Sequence, residues 1–291
     1  MDMDYNLQKY MVFVKTVELG SFTKAAEALN YAQSSVSKMI ADLEKECGVV
    51  LLERDRGGVH LTASGEQILP YARQLTEDYH RLESYVDGMS GVQTGIVRIG
   101  TFSSVAVNWL PNIFAEFQKD FPRIEYEMLL GDYEEVERWI AEGRVDCGFL
   151  SLPTGSPFDT VLLKEDEYVV VLPQHHPLAD KEKIAAEDLE DEPFFLLEHG
   201  GRTEVTELLE KRKAYPKIRI TTWEDYAIMA MVEKGLGIGI LPRMILKKIP
   251  YHIVIRPLAE PYYRKIGIAV KNKKMLSPAT SKFMEYLKYR E

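Results

Sequence analysis

The chain of 291 residues has only two cysteines, Cys47 and Cys147, far apart in sequence. That excludes a disulfide scaffold and a Cys-based zinc cluster, and it suits a reducing cytoplasm. Long apolar runs are missing as well: no stretch approaches the roughly 18–20 residues needed to span a bilayer. The acidic start, MDMDYNLQKY, lacks the basic and apolar segments of a signal peptide, so a cytoplasmic protein is expected. Positive charge is in deficit, with 36 Lys and Arg against 45 Asp and Glu, a net charge of −9. Coating of nucleic acid by bulk charge is therefore excluded, although a small DNA-reading head on a larger acidic body is not. No repeat, low-complexity tract, P-loop, nucleophile elbow or paired-carboxylate motif stands out, which makes an enzyme the weaker class. What is present is an ordinary globular balance, 46% hydrophobic and 28% charged, in a chain long enough for two or three units.

In the first sixty residues, Leu7, Tyr10, Val14 and Val17 recur at helical spacing, and Gly20 ends that helix. Ser21 is placed to cap a short second helix with a stripe of Phe22, Ala25, Ala26 and Leu29, and Asn30 suits its left-handed end. In a third helix, Val36, Ile40, Leu43 and Cys47 share one face, while Ser34, Lys38, Ala41 and Lys45 share the other. Gln33, Ser34, Ser35 and Ser37 crowd its first turn, where hydroxyls and amides can meet base edges or phosphate. Two short strands follow, around the turn Asp55-Arg56-Gly57-Gly58. This is the order of a winged helix-turn-helix, with Arg54 and Arg56 on the wing. The same pattern also fits a plain helical bundle with solvated serines. Residues 1–65 hold seven Lys and Arg against nine Asp and Glu, so a DNA head must gather its cations on one face.

The run SFTKAAEALNYAQSSVSKMIADLEKECGVVLLERDRGGVHLTASGE resembles the DNA-binding head of LysR-type transcriptional regulators. By position the resemblance implies DNA contacts for Thr23, Gln33, Ser34, Ser35, Ser37 and Lys38, with Arg54 and Arg56 in the wing. Four positions depart from the family pattern. Ala32 stands where a capping Ser is usual, a change of about 1 kcal/mol. Ser34 replaces Pro, Lys38 replaces Arg, and Leu52 replaces Phe.

Thr62 can cap a long helix in which Ile68, Ala72, Leu75, Tyr79, Leu82, Val86 and Met89 alternate steps of four and three residues. That heptad seam predicts a dimerisation rod roughly 40 Å long, and the resemblance implies a linker helix pairing two subunits. Pro70 removes a backbone hydrogen bond and predicts a kink near the start. Gly88 and Gly91 end the rod. Beyond it, strands at Ile96–Gly100, Ile124–Leu130 and Val145–Leu150 alternate with helices around Trp109–Phe117 and Val136–Ile140. A second set starts at Val169–Leu172, with helices at 204–213 and 224–234, a strand at Ile266–Val270 and a closing helix at Phe283–Tyr289. The alternation predicts an α/β domain with a largely parallel sheet. The blocks VRIG, WLPNIFAEFQKDFP, GRVDCGF, LPQHHPLA and VEKGLGIGILP resemble the LysR effector domain, two α/β lobes like periplasmic solute-binding proteins.

The expected organisation is therefore α+β and multidomain. It comprises a winged head at 1–62, a linker helix at 63–91 and an effector domain at 92–291, with lobes at 92–163 plus 265–291 and at 164–264. Ligands of open α/β sheets sit beyond the carboxyl ends of the strands. That selects Thr101, Phe102, Ser103, Ser104, Gly131, Asp132, Phe149, Glu198, Arg202 and Thr203. Arg202 could pair with a carboxylate, so the expected effector is a carboxylate or hydroxylated metabolite, although a surface salt bridge is an equal reading of Arg202. No cofactor is expected. The glycines of Gly235-Leu236-Gly237-Ile238-Gly239 lie between a helix and a strand, the reverse of a dinucleotide loop, and read as capping and close packing. His175 and His176 precede Pro177 in a turn and have no partner at metal-ligand spacing. The function expected is a transcriptional regulator reading a dyad in double-stranded DNA as a dimer or tetramer, under control of a small effector. RNA polymerase is a further partner and no membrane is involved. The rival reading is a metabolite sensor or carrier with a vestigial head.

Overall fold

The computed structural model describes residues 3–55, 58–88, 94–198 and 203–291. Met89, Gly91, Arg56 and Arg202 lie outside the described residues.

The head opens with α1 (Met3–Leu19), α2 (Phe22–Ala28) and α3 (Gln33–Cys47). Ser21 caps α2 by accepting from Lys24 N–H at 3.3 Å, and Asn30 takes the left-handed conformation with φ 56°. Ala32 gives α3 no side-chain cap, and Gly48, at φ 71°, ends it. Val36, Ile40 and Leu43 are buried as their spacing predicts. Helix α1 differs from its predicted stripe. Val14 is buried as expected and Tyr10 and Val17 pack half-buried against the head core, but its centre is Val12 and Phe13, and Leu7 is only half-buried. Strands β1 (Leu52–Asp55) and β2 (Gly58–Leu61) pair antiparallel as the wing. Helix α4 (Ala63–Gly88) starts at the Thr62 cap, where Gly65 N–H donates to the hydroxyl at 3.0 Å, and runs on through Pro70.

The seam of α4 divides in two. Ala72 is buried and Ile68 half-buried in the head core, together with Leu69. Leu75, Leu82 and Val86 are 46%, 61% and 56% exposed. Farther along, the rod is tied to the large domain: Arg73 pairs with Glu142 at 3.3 Å, and Lys271 bridges Gln74 and the Ala141 carbonyl.

The large domain begins with β3 (Gly95–Thr101), α5 (Ser103–Asn108), α6 (Leu110–Asp120), β4 (Ile124–Leu130), α7 (Tyr133–Ala141) and β5 (Cys147–Ser151). It crosses into a second lobe along β6 (Asp159–Pro173), which is 15 residues long. The second lobe holds β7 (Pro193–Leu197), α8 (Glu204–Arg212), β8 (Lys217–Thr222), α9 (Asp225–Glu233), β9 (Ile238–Pro242) and β10 (Ile253–Pro257). Strand β11 (Tyr263–Val270) returns to the first lobe, which α10 (Pro278–Tyr286) completes.

The strand order is β4-β3-β5-β11-β6-β9-β7-β8, with β10 added to β6, nine strands in all. Within each lobe the central pairs are parallel, but β11 and β6 run antiparallel to each other and to their other neighbours. The largely parallel expectation thus holds inside the lobes and fails at the crossover. Both faces of each sheet are covered by apolar side chains. Phe194 and Leu196 enter one core of the second lobe and Phe195 the other. Trp109, Phe117, Phe149 and Phe283 form the main core of the first lobe. Among the described residues no helix is long and apolar enough to cross a membrane.

Candidate functional site

Two places combine exposed or cavity-lining polar groups with a rigid frame. The first is the outer face of the head. The Gln33 amide donates to Ser37 Oγ at 3.0 Å, and Arg54 Nη2 donates to the same oxygen at 3.1 Å. The Arg54 guanidinium lies 3.5 Å above the Phe22 ring, which fixes the wing against α2. With both acceptor positions of Ser37 used, its O–H is left to donate. Thr23, Gln33, Ser34 and Lys38 are exposed on this side, and Ser35 and Ser37 are half-buried.

Three of the head's nine carboxylates are held in structural contacts. Glu44 accepts from the backbone of Leu51 and Leu52 at 2.8 and 3.1 Å. Glu46 pairs with Lys9, and Glu18 with Lys15. These carboxylates are spent on structure, while Lys38 and Arg54 stay on the face that carries Gln33.

The second place is the cleft between the two lobes, a cavity of about 340 Å³. Four parallel strands point their carboxyl ends at it, as the strand-end rule requires. After β3 come Phe102, Ser103 and Ser104; after β4, Gly131 and Asp132; after β7, Glu198 and Thr203; after β8, Trp223 and Asp225. Each turn into a helix is built from its own residues. Asp132 and Glu135 form a reciprocal capping box on α7, with Asp132 Oδ1 accepting from Glu135 N–H at 2.6 Å. Thr203 caps α8 and donates to the Leu197 carbonyl at 3.2 Å. Gly131 has to be glycine, because a Cβ there would stand 2.5 Å from the Trp139 ring.

The floor comes from the crossover strands. Arg264 on β11 is buried. It donates to Asp166 Oδ2 from Nε at 3.0 Å and Nη2 at 2.7 Å, to Tyr133 from Nη1 at 3.0 Å, and to Ser104 Oγ at 2.7 Å. Asp166 Oδ1 in turn accepts from Met244 N–H at 3.0 Å. The buried Tyr168 and the Phe102–Tyr133 edge-to-face pair, 5.1 Å apart, supply apolar walls.

Of the residues selected from sequence, the structure brings Phe102, Ser103, Ser104, Gly131, Asp132, Glu198 and Thr203 around this one cavity. Thr101 and Phe149 stand behind it. Thr101 is buried on β3, and Phe149 packs in the first-lobe core, its ring 6.2 Å from that of Trp109. Their places on the pleat turn both side chains inward. Tyr133, Tyr168, Glu204, Trp223, Asp225 and Arg264 were not selected. The strand-end rule would have found Trp223 and Asp225 had Lys217–Thr222 been read as a strand, whereas Arg264 carries no local signal.

The discounted motifs have structural roles. Gly235 takes φ 73° at the end of α9, and a Cβ at Gly237 would meet the Pro193 carbonyl at 2.5 Å. His176 accepts from Leu178 N–H at 3.3 Å and faces Glu192.

Asp225 is 9% exposed, and its burial raises its pKa to about 6; the Arg264 charge opposes the shift and Glu224 adds to it. Because the folded value lies above the unfolded one of 3.8, ionisation costs the fold up to about 3 kcal/mol. The penalty is absent at low pH and complete once the pH has passed 6. Asp225→Asn is therefore expected to be more stable than the parent at pH 8, by up to that amount, with the advantage vanishing toward pH 4. Urea unfolding at both values checks this; an equal advantage at both would refute it.

The comparisons with known proteins agree with this geometry. Residues 7–66 match the family described as bacterial regulatory helix-turn-helix protein, lysR family, and residues 90–290 match the LysR substrate binding domain. The chain is 34% identical over 280 residues to the uncharacterized HTH-type transcriptional regulator YvbU of Bacillus subtilis (strain 168), covering 95% of this chain and 96% of that one. It is also 34% identical to the probable HTH-type transcriptional regulator LrrA of Synechococcus elongatus, covering 97% and 96%. The fold is similar to that of full-length CbnR complexed with its target DNA, with TM-score 0.71, 20% identity and coverage of 98% and 99%. The chain belongs to the LysR family of helix-turn-helix transcriptional regulators and carries the family's effector-binding domain.

Proposed function

We propose that this regulator reads a dyad in double-stranded DNA as a dimer, or as a pair of dimers, in the cytoplasm, and that a small molecule between the lobes changes how the two heads are held. The working units are the head at 1–62, the linker at 63–91 and the effector domain at 92–291, whose lobes are 92–163 with 265–291 and 164–264. RNA polymerase is the downstream partner in this reading. The observation that carries it is the Gln33–Ser37–Arg54 cluster. A polar row held in place before DNA arrives loses little side-chain entropy on binding. Lys38 beside it supplies a phosphate contact, and Gln33 a base contact. The effector acts only if it binds one arrangement of the lobes better than another, since equal affinity shifts nothing.

Sequencing of genomic DNA captured by the purified protein tests the proposal. An enriched dyad is the expected result, and no enrichment at any salt overturns it. On such a site, Lys38→Ala is expected to weaken binding evenly across sequences and to lower the salt slope by about one. Gln33→Ala is expected to relax discrimination at one base by about 1–3 kcal/mol. Gel-shift titrations over a salt series separate the two effects; identical behaviour of the two variants would remove their assigned roles.

A further inference from the structure

We propose that the interlobe cleft takes a small organic cation, an amine or guanidine on an apolar or aromatic body, held by Asp225 and Glu204. The inference rests on the reading of the cleft as the effector site and adds the chemical class.

The cation already in the cleft is committed. Arg264 is the one Lys or Arg among the described lining residues, and its guanidinium is engaged by Asp166, Tyr133 and Ser104. The Arg264–Asp166 pair is neutral as a unit, so among the described lining residues an incoming carboxylate finds no uncommitted cation. Three of the four helix starts at the cleft carry side-chain caps, and the start of the six-residue α5, at Phe102, does not. Asp132 and Glu135 cap α7, Thr203 caps α8, and Glu224 caps α9, accepting from Tyr226 N–H at 3.3 Å.

The carboxylates of the cleft are in the opposite condition. Asp225, nine-tenths buried and facing the cavity, accepts only from its own backbone N–H among the described residues. Glu204 Oε1 is buried and accepts no hydrogen bond among the described residues. The two act on common neighbours, since both press on the Tyr133 and Tyr168 hydroxyls. Buried acceptors without donors are costly, and buried unpaired charges more so. A neutral hydroxyl would supply the hydrogen bonds and leave the charge; an ammonium or guanidinium supplies both. Caps on α7 are partly offset by the positive end of their helix, but Glu198 and Glu134 are not caps and extend the negative wall.

A metal ion is the poorer occupant, because no three His, Cys, Asp or Glu among the described residues converge at ligand distance. The remaining walls are apolar, with Leu130, Leu197 and Val205 beside the aromatic Phe102, Tyr133, Tyr168 and, at the rim, Trp223. Ring faces attract cations and cover an apolar body. A cavity of about 340 Å³ suits a ligand on the order of ten to fifteen non-hydrogen atoms.

The test is calorimetric titration of the full chain at pH 8 with isosteres of different charge. Putrescine, butanediol and succinate form one set; phenethylamine and hydrocinnamate form another. Trp223 lines the cleft and Trp109 and Trp139 do not, so a fluorescence change that is lost in Trp223→Phe reports occupancy of the cleft. At least one amine is expected to bind, with its acid counterpart, and for putrescine its alcohol counterpart too, weaker by roughly tenfold or more. Asp225→Asn and, separately, Glu204→Gln should each remove most of that preference. Acids binding better than amines, with the Trp223 signal, would overturn the cationic assignment and leave the cleft as an effector site. Binding by no member of either set, with Trp223 fluorescence unchanged, would overturn the cationic assignment and count against the effector reading as well.

Discussion

Replacing Asp166 by alanine is expected to destabilise the effector domain by about 3–5 kcal/mol, the largest effect of any single change at the cleft. Asp166 on β6 and Arg264 on β11 are 3% and 5% exposed, and they lie on the two strands that cross between the lobes. Without the carboxylate, Arg264 keeps a full charge in the interior, hydrogen-bonded to two neutral hydroxyls and with the Asp225 carboxyl as its remaining electrostatic neighbour. Met244 N–H loses its acceptor in the same step. The cost comes from the stranded partner more than from the lost pair. Asp166→Leu combined with Arg264→Met should therefore recover part of it, because an apolar pair of similar volume leaves no buried charge unpaired, although Met244 N–H still lacks its acceptor. Chemical unfolding of the single and double variants checks both statements. A single variant within about 1 kcal/mol of the parent would show that water reaches Arg264, and the account of the pair would fail.

The elements that follow from local rules were legible in the sequence. Ser21, Asn30 and Gly48 mark the ends of helices in the head by side-chain capping or a left-handed backbone, and Val36, Ile40 and Leu43 form a stripe with one possible face. Helix α1 was misjudged because the run Met11-Val12-Phe13-Val14 is apolar on every side. Periodicity cannot choose a face there; contacts with the other head helices choose it. Strand β7, Phe194-Phe195-Leu196, is buried on both faces and so shows no alternation. The first half of β6 is exposed at four consecutive positions, 159–162, and so shows no alternation, and its strand character comes from pairing with β11 roughly a hundred positions later. The cleft divides in the same way. Residues just after a strand could be placed by topology alone, which brought in Phe102, Ser104 and Asp132. Thr101 and Phe149 were lost to the pleat, whose phase the sequence does not reveal. Arg264 was beyond reach, since what makes it functional is Asp166, 98 positions away.

Leu82→Glu combined with Val86→Glu is expected to leave a folded monomer that binds a dyad site roughly 10²–10⁴-fold more weakly than the parent. The seam predicted from sequence runs from Ile68 to Val86, but its first two positions are used inside the head, with Ala72 buried and Ile68 packed beside it. The face left for a partner is shorter: Leu75, Leu82 and Val86, with the half-buried Tyr79 between them. Exposed leucine and valine at heptad spacing on one face of a helix are poorly explained by solvation, and burial of each against a second rod contributes about 1.5–3 kcal/mol. Two glutamates on this seam would have to be buried without partners in a dimer, whereas in the monomer they stay in water at little cost. The fall in DNA affinity follows from geometry: two heads on one rod convert the second half-site contact into an intramolecular event, and separate heads lose that gain. Sedimentation analysis and titration of dyad against half-site DNA measure both effects. Ala72→Glu provides the contrast, since it should unfold the head without acting on the seam. A Leu82/Val86 variant that remains dimeric and keeps its affinity for the dyad would place the dimer contact elsewhere, and the exposed face of α4 would then need another explanation.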